Sequence, residues 1–274
     1  MNASNWTLKE EIRAYWSGRA ETFDDSRGHR IADGAEARAW RRLMSDGLGD
    51  VAGRNVLDLA CGTGEISRML LDLGAAVTGV DFAEPMLARA ASKLRGRNWR
   101  GMLGDAERLE TLAPASFDGV VTRHLAWTLT DPPAAYAAIR RVLKPGARLL
   151  VVDGDWVSET PRTRLLRGLA KMIDGNQGQA GADPDLHKRI LSQVPYASGL
   201  TAERLRADLE AAGFARFARH STLAVYLWGM HGAKLGDRLR LLAPRRFAVS
   251  TMRPDELGRD HAAARKDERR RIAS

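Results

Sequence analysis

A chain of 274 residues, 44% of them hydrophobic, is long enough for one elaborated domain with a well-buried core. Its single cysteine, Cys61, excludes an intrachain disulfide and a cysteine-rich zinc site, and fits a reducing, cytoplasmic setting. The net charge of +9 invites a nucleic-acid partner, but the tail "RKDERRRIAS" alone carries five basic residues against two acidic, so nucleic acid is disfavoured. The opening "MNASNWTLKEEIRAYW" has charges where a secretion signal needs an apolar centre, and no run reaches the length of a membrane span.

In chain order, Thr7 and Glu10 form a capping-box pattern, after which Ile12, Tyr15, Trp16, Ala20 and Phe23 recur at helical spacing. A second helix is expected after Asp33, with Trp40, Leu43 and Met44 on one face. From residue 54 to about 152 strands and helices alternate. "NVLDLA", "AAVTGVD", "WRGMLGD", "FDGVVTRH" and "ARLLVVDGDW" read as strands. "GEISRMLLDLG", "AEPMLARAASKLRG" and "DPPAAYAAIRRVLKPG" read as the helices between them, the last with Asp131 as N-cap and Pro132 at the first helical position. Such alternation predicts a parallel sheet covered on both faces.

Residues 153–200 break the rhythm as a helical insertion, with "TPRTRLLRGLAKMID" an amphipathic helix and "GNQGQAGADPD" a loop. "TAERLRADLEAAGF" resumes it as a helix capped by Thr201 and closed by Gly213. "ARFARHSTLAVYLW" and "RRFAVSTM" are expected to be the last two strands, and residues 257–274 a charged tail.

The chemistry centres on "VLDLACGTGEIS", where a Gly-x-Gly turn after the first strand lets backbone amides approach a ligand. Ser67 stands where a dinucleotide fingerprint has its third glycine, and Asp58 lies inside the strand, where a pyrophosphate would be poorly served. Asp81 ends the second strand, placed to accept both hydroxyls of a ribose, and Asp105 ends the third, placed to accept from an adenine amine. A ligand with a ribose, an adenine, a cationic head and no phosphate describes S-adenosylmethionine better than NAD.

Those motifs, with "VTGVDFAEPML", "GDAERL", "FDGVVTRHLAWTL" and "RVLKPGARLLVVD" in order, resemble the core of class I S-adenosylmethionine-dependent methyltransferases. The resemblance covers residues 54–152 and is nearest to the small-molecule branch that includes the ubiquinone and menaquinone biosynthesis enzymes. It implies an α/β, Rossmann-like, seven-stranded and mostly parallel sheet with the last strand antiparallel. It also implies N-terminal lid helices over residues 1–50 and a transferase domain over 51–256, with the 153–200 insertion as a cap.

Carried over by position, the amides around Ala60, Gly62 and Gly64, with Thr63, would hold the methionine end, and Asp58 its ammonium group. Asp81 would hold the ribose, Phe82 and Met86 would border the adenine, and Asp105 with Ala106 would meet its amino edge. Thr122, Arg123 and His124 would floor the site beneath the methyl group, with His124 as catalytic base. Tyr15 and Arg19, one turn apart on the first helix, would contact the cofactor or substrate. His29, Trp127, Trp156 and Tyr196, with Met172 and His187, are candidates for the acceptor pocket. Arg164, Arg167 and Lys171 form a basic helix face, read as solvated or as meeting an acidic substrate or lipid headgroup.

The expected reaction is in-line methyl transfer to an N, O or C nucleophile of a small molecule, releasing S-adenosylhomocysteine and requiring no metal. An RNA methyltransferase, a nicotinamide-dependent oxidoreductase and a non-catalytic S-adenosylmethionine-binding regulator are the competing classes. "DPPAAY" resembles an amino-methylating motif but lies too far from the fourth strand, so Asp131 and Pro132 are read as a helix start. The apolar "LLRGLAKMI" would also suit a homodimer contact.

Overall fold

A computed structural model describes residues 3–25, 28–174 and 184–255. Seven strands form one sheet in the order β3-β2-β1-β4-β5-β7-β6. β1 (Asn55–Leu59), β2 (Ala76–Asp81), β3 (Trp99–Leu103), β4 (Phe117–Arg123) and β5 (Leu143–Asp155) run parallel. β7 (Arg245–Met252) is antiparallel to both β5 and β6 (Ala215–His220). Alternate residues of the central strands enter different cores, as a sheet buried on both faces requires. Val120, Leu149, Val151, Phe247 and Val249 pack on one side with α5 (Pro132–Val142) and α8 (Ala202–Ala211). Val121, Leu150, Val152 and Ala248 pack on the other with α2 (Ala35–Leu48) and α3 (Glu65–Asp72).

The expected caps form: Asp131 accepts from the Ala134 amide at 3.1 Å, and Thr201 from the Arg204 amide at 3.2 Å. α4 (Glu84–Lys93) carries its proline in the first turn. α1 (Ala3–Arg19) begins ahead of Thr7, so that residue lies inside the helix and does not cap it; no proline or glycine at 3–6 opposes the extra turn. The expected strand after 215 stops at His220, and Leu223–Gly229 forms the helix α9 instead. Val225 and Tyr226 anchor it on α2, the Tyr226 ring meeting Trp40 edge-on at 6.5 Å. Of the loop expected over 175–185, Pro184 and Asp185 open a helix instead, and the rest lies outside the described residues, as does the tail expected over 257–274.

Two helices escaped the sequence reading. α7 (Pro184–Gln193) buries Ile190, and Val194 just beyond its end, against Leu8, Ile12 and Tyr15 of α1. α10 (Leu235–Leu242) packs on α6 (Pro161–Asp174) so closely that a Cβ on Gly236 would lie 1.7 Å from Asp174 Oδ2. The insertion therefore divides, one helix bracing the N-terminal segment and the other the segment before β7.

Candidate active site

The parallel strands end their carboxyl termini at one edge, where a crevice opens in two joined compartments of about 730 and 420 Å³. Ala60, Asp81, Phe82 and Leu125 line both, so the two form a continuous groove. The larger holds the β1–α3 loop, in which Gly62 (φ 53°) and Gly64 (φ 82°) occupy left-handed backbone. A Cβ on Gly64 would press on Leu94 and Ala90 of the neighbouring helix segment at 3.0 and 3.1 Å, so a side chain would push this turn away from α4. Ala60 (φ 57°) and His124 (φ 60°) are non-glycine residues in the same region, one at the end of each adjacent strand. Such conformations cost about 1–2 kcal/mol each and concentrate at functional sites.

Asp81 stands where the compartments meet. Its carboxylate accepts from the Gly62 amide at 2.8 Å and the Ala83 amide at 2.9 Å. Burial raises its pKa despite those amides. Asp105 and Ala106 line the smaller compartment as expected. Lys9 of α1 reaches across it, bonding Asp105 at 2.8 Å and also Glu107. Glu107 is itself buried against the Thr130 hydroxyl and the amides of Thr130 and Asp131. Phe82 and Met86 line the larger compartment.

On the far wall, burial and then Arg123 and Arg19 push the His29 pKa down to about 3. Burial, Arg123 and His29 likewise hold His124 well below its ordinary 6.5. Both imidazoles line the crevice as neutral rings, 6.3 Å apart and edge to face. His124 Nε2 and His29 Nδ1 are buried and have no hydrogen-bond partner among the described residues. Trp156 packs on His124 at 4.9 Å, with its indole N–H on Asp153 Oδ1. Arg123 lines the crevice, donates to the carbonyls of His29 (3.0 Å) and Gly28, and lies 4.7 Å over Trp40.

Other expected contacts fall elsewhere. Asp58 is 1% exposed and does not line the crevice; it accepts from Ser67 Oγ at 2.7 Å, and Ser67 Oγ accepts from Trp99 Nε1 at 3.1 Å. Strand alternation turns it behind the loop, toward α3. Thr122 is buried off the crevice. Tyr15 packs into the α1–α7 cluster, and Arg19 lies over the rings of Tyr15, Trp16 and Phe23 at 5.5–5.7 Å. Trp127 and His187 pack on each other at 5.6 Å, and neither lines the crevice. Tyr196 is a core residue, its hydroxyl bonded to Tyr136 and Asp208. Met172 is 83% exposed on the outside of α6.

Trp16, Phe23 and Glu65 line the crevice although sequence reasoning gave them no such role. Glu65 accepts from the Ile31 amide (3.0 Å) and Lys93 (2.6 Å), and Lys93 also holds Asp24 at 2.9 Å. Asp24 in turn accepts from Thr63 Oγ at 2.6 Å, so the segment after α1 is clamped onto the glycine turn. An acid at the first helical position after a Gly-x-Gly turn was the available signal for Glu65.

A groove beside a left-handed glycine turn, with carboxylates at successive strand ends, fits a phosphate-free nucleoside with a cationic arm. The fold and crevice are those of an S-adenosylmethionine-binding α/β protein. Residues 57–151 match the family model described as a methyltransferase domain. The chain is 32% identical to the demethylmenaquinone methyltransferase of Thermus thermophilus, over 76% of this chain and 93% of that protein. It is 34% identical to the same-named enzyme of Renibacterium salmoninarum, over 68% of this chain and 76% of that protein. Phosphoethanolamine N-methyltransferase 2 of Haemonchus contortus, solved with phosphomonomethylethanolamine and S-adenosylhomocysteine, shares the fold at TM-score 0.62 and 16% identity, over 90% of this chain and 60% of that one. The [4+2]-cyclase SpnF shares it at 0.58 and 17%, over 89% and 96%. The chain belongs to the class I S-adenosylmethionine-dependent methyltransferases, in the branch that acts on small molecules. It transfers a methyl group from S-adenosylmethionine to a small-molecule acceptor.

Proposed function

We propose that the acceptor is a lipophilic hydroxylated aromatic, methylated at a ring carbon. Two lines support this: the relatives named demethylmenaquinone methyltransferases, and the mixed character of the crevice. Trp16, Phe23 and Leu125 supply flat apolar walls, and His29 and His124 supply two neutral imidazoles inside them. The observation that carries the reading is His124, whose buried Nε2 lacks a partner among the described residues and sits on a strained backbone at the end of β4.

Bound S-adenosylmethionine supplies a sulfonium methyl that is already electrophilic, open to in-line displacement. Ala60, Gly62, Thr63 and Gly64 hold its methionine end, Asp81 its ribose, and Phe82, Met86, Asp105 and Ala106 its adenine. Asp58 and Thr122 act through the loop and strand they stiffen. Tyr15 and Arg19 brace the α1 segment, from which Lys9 and Trp16 reach the crevice. His124 Nε2 accepts the proton of a ring hydroxyl, which loads electron density onto the adjacent ring carbon. That carbon takes the methyl as the carbon–sulfur bond breaks, then sheds its own hydrogen as a proton to solvent while His124 returns its proton to the ring oxygen. A neutral imidazole is the form able to accept the hydroxyl proton, and its depressed pKa keeps it neutral across physiological pH. His29 orients the ring, and Arg123 fixes the His29 backbone. Trp16 and Phe23 exclude water.

We take residues 51–256 as the transferase unit, with α1 as its lid and α2 as part of its core. A cytoplasmic site suits the lone Cys61, which needs no oxidising compartment. The test is incubation with 13C-methyl-labelled cofactor and a hydroxynaphthoquinol. A methyl on an aromatic carbon in the NMR spectrum supports the reading, and an O-methyl product or no product refutes it.

A further inference from the structure

The outer face of α6 is apolar where water would be expected to meet charge. Leu165, Leu169, Met172 and Ile173 are 62%, 39%, 83% and 49% exposed, and their spacing of four, three and one residues places them on one stripe. Thr163 and Ala170 are the buried residues of this helix, on a different face. Leu235 of α10, which packs on α6, is 58% exposed. Contiguous apolar surface of this kind marks a docking face.

The charge around the stripe is one-sided. Residues 161–174 and 223–246 contain nine Lys and Arg against two acids, Asp174 and Asp237. Both acids are held by Arg240, at 3.0 and 3.3 Å. Arg167 reaches Glu159 at 3.6 Å, while Arg162, Arg164, Lys171, Lys234 and Arg238 stand exposed. No helix among the described residues is long and apolar enough to cross a membrane.

We propose that α6 docks in the plane of an anionic phospholipid surface, its stripe entering the acyl boundary and the basic residues meeting phosphate headgroups. A lone apolar face would suit a second copy of the chain, but two such faces would bring these uncompensated cations together. A negative lipid surface complements them. The position suits the chemistry. Leu241, in the last turn of α10, lies 3.1 Å from where a Cβ on Gly28 would be, and the Gly28 carbonyl accepts from Arg123, the neighbour of His124. The helix on which α6 packs thus touches the loop held by Arg123 at the acceptor end of the crevice. The role of docking in delivering acceptor rests on the lipophilic-acceptor reading above, whereas docking itself does not.

The experiment is co-sedimentation of the full chain with vesicles of phosphatidylcholine alone, or containing about 30 mol % phosphatidylglycerol. Binding to the anionic vesicles is expected to be at least about tenfold tighter, and to weaken by about tenfold between roughly 50 and 500 mM salt. L165S/M172S and R164Q/K171Q are each expected to lower it by about tenfold, with cofactor affinity and turnover of a water-soluble acceptor unchanged. All four side chains are exposed, so the fold is retained, and an unaltered melting transition checks this. Equal sedimentation with both vesicle types overturns the proposal. So does light scattering that shows L165S/M172S converting a dimer to a monomer while vesicle binding persists. Anionic-vesicle binding without ring methylation upholds docking and refutes the acceptor reading separately.

Discussion

Asp58 is the sharpest quantitative handle on the loop. Its carboxyl is buried at 1% exposure, and burial raises its pKa from 3.8 to about 7 against the opposing bonds from the Ser67 hydroxyl and amide. The folded pKa exceeds the unfolded one, so its stabilising share is complete below about pH 4 and is lost as pH rises through about 7. Three units at about 1.4 kcal/mol each put the loss near 4 kcal/mol by pH 8. Asn at this position cannot ionise and escapes that loss, but it offers one acceptor oxygen where two bonds arrive, at a cost of about 1–3 kcal/mol. Asp58→Asn should therefore be less stable than the parent by up to about 2 kcal/mol at pH 4.5, where the parent has lost about 1 kcal/mol of its share, and more stable by about 1–3 kcal/mol at pH 8. Urea unfolding of both proteins at the two pH values measures the crossing. A stability difference with the same sign and size at both would refute the assigned ionisation.

Four further outcomes follow from the site. Asp81→Ala removes the acceptor of the Gly62 and Ala83 amides as well as the proposed ribose ligand, so calorimetry should show cofactor binding weakened by more than about tenfold. With His124 as the proposed base, His124→Ala should lower kcat by about a hundredfold or more with cofactor affinity nearly intact, and in the parent kcat should stay flat between about pH 6.5 and 8 because burial already keeps that ring neutral. Replacing His29 by Gln should flatten acid denaturation. The buried neutral ring contributes stability present above pH 6.5 and lost as pH falls toward about 3, so parent and variant melting curves should diverge only in that window. Lys9→Met strands Glu107, which is 6% exposed, and should cost about 1–3 kcal/mol and open α1 to limited proteolysis.

Most of the sheet was legible because both periods were clean. Val120 to Val121 and Leu149 to Val152 read as continuous apolar runs, since each strand buries both faces. The caps at Asp131 and Thr201 were legible because their chemistry is local. The ends of β1, β2 and β3 could be located from Gly62, Asp81 and Asp105, and the crevice lies there. What escaped was decided at a distance. Asp58 lies one residue inside β1 and Asp81 ends β2, and strand alternation sends the first toward Ser67 while the second meets the groove. Tyr15 and Trp16 are adjacent, yet α7 claims the first and the crevice the second. α9 carries an apolar composition that suits strand or helix alike, and contact with Trp40 decides it. Lys9 gave no signal because its partner Asp105 lies 96 residues away, and Glu65 gave only its place after the Gly-x-Gly turn, its partners Lys93 and Ile31 lying 28 and 34 residues away.

In the function proposed above, the two joined compartments act as one cofactor groove with its reactive end at the paired imidazoles. A crystal structure with S-adenosylhomocysteine tests it most directly. The expected result has the adenine at Ala106, the ribose hydroxyls on Asp81 in place of the Gly62 amide, and the sulfur facing the cavity bounded by His29 and His124. An adenine seated among Trp16 and Phe23, with the amino-acid end at Asp105, would contradict it.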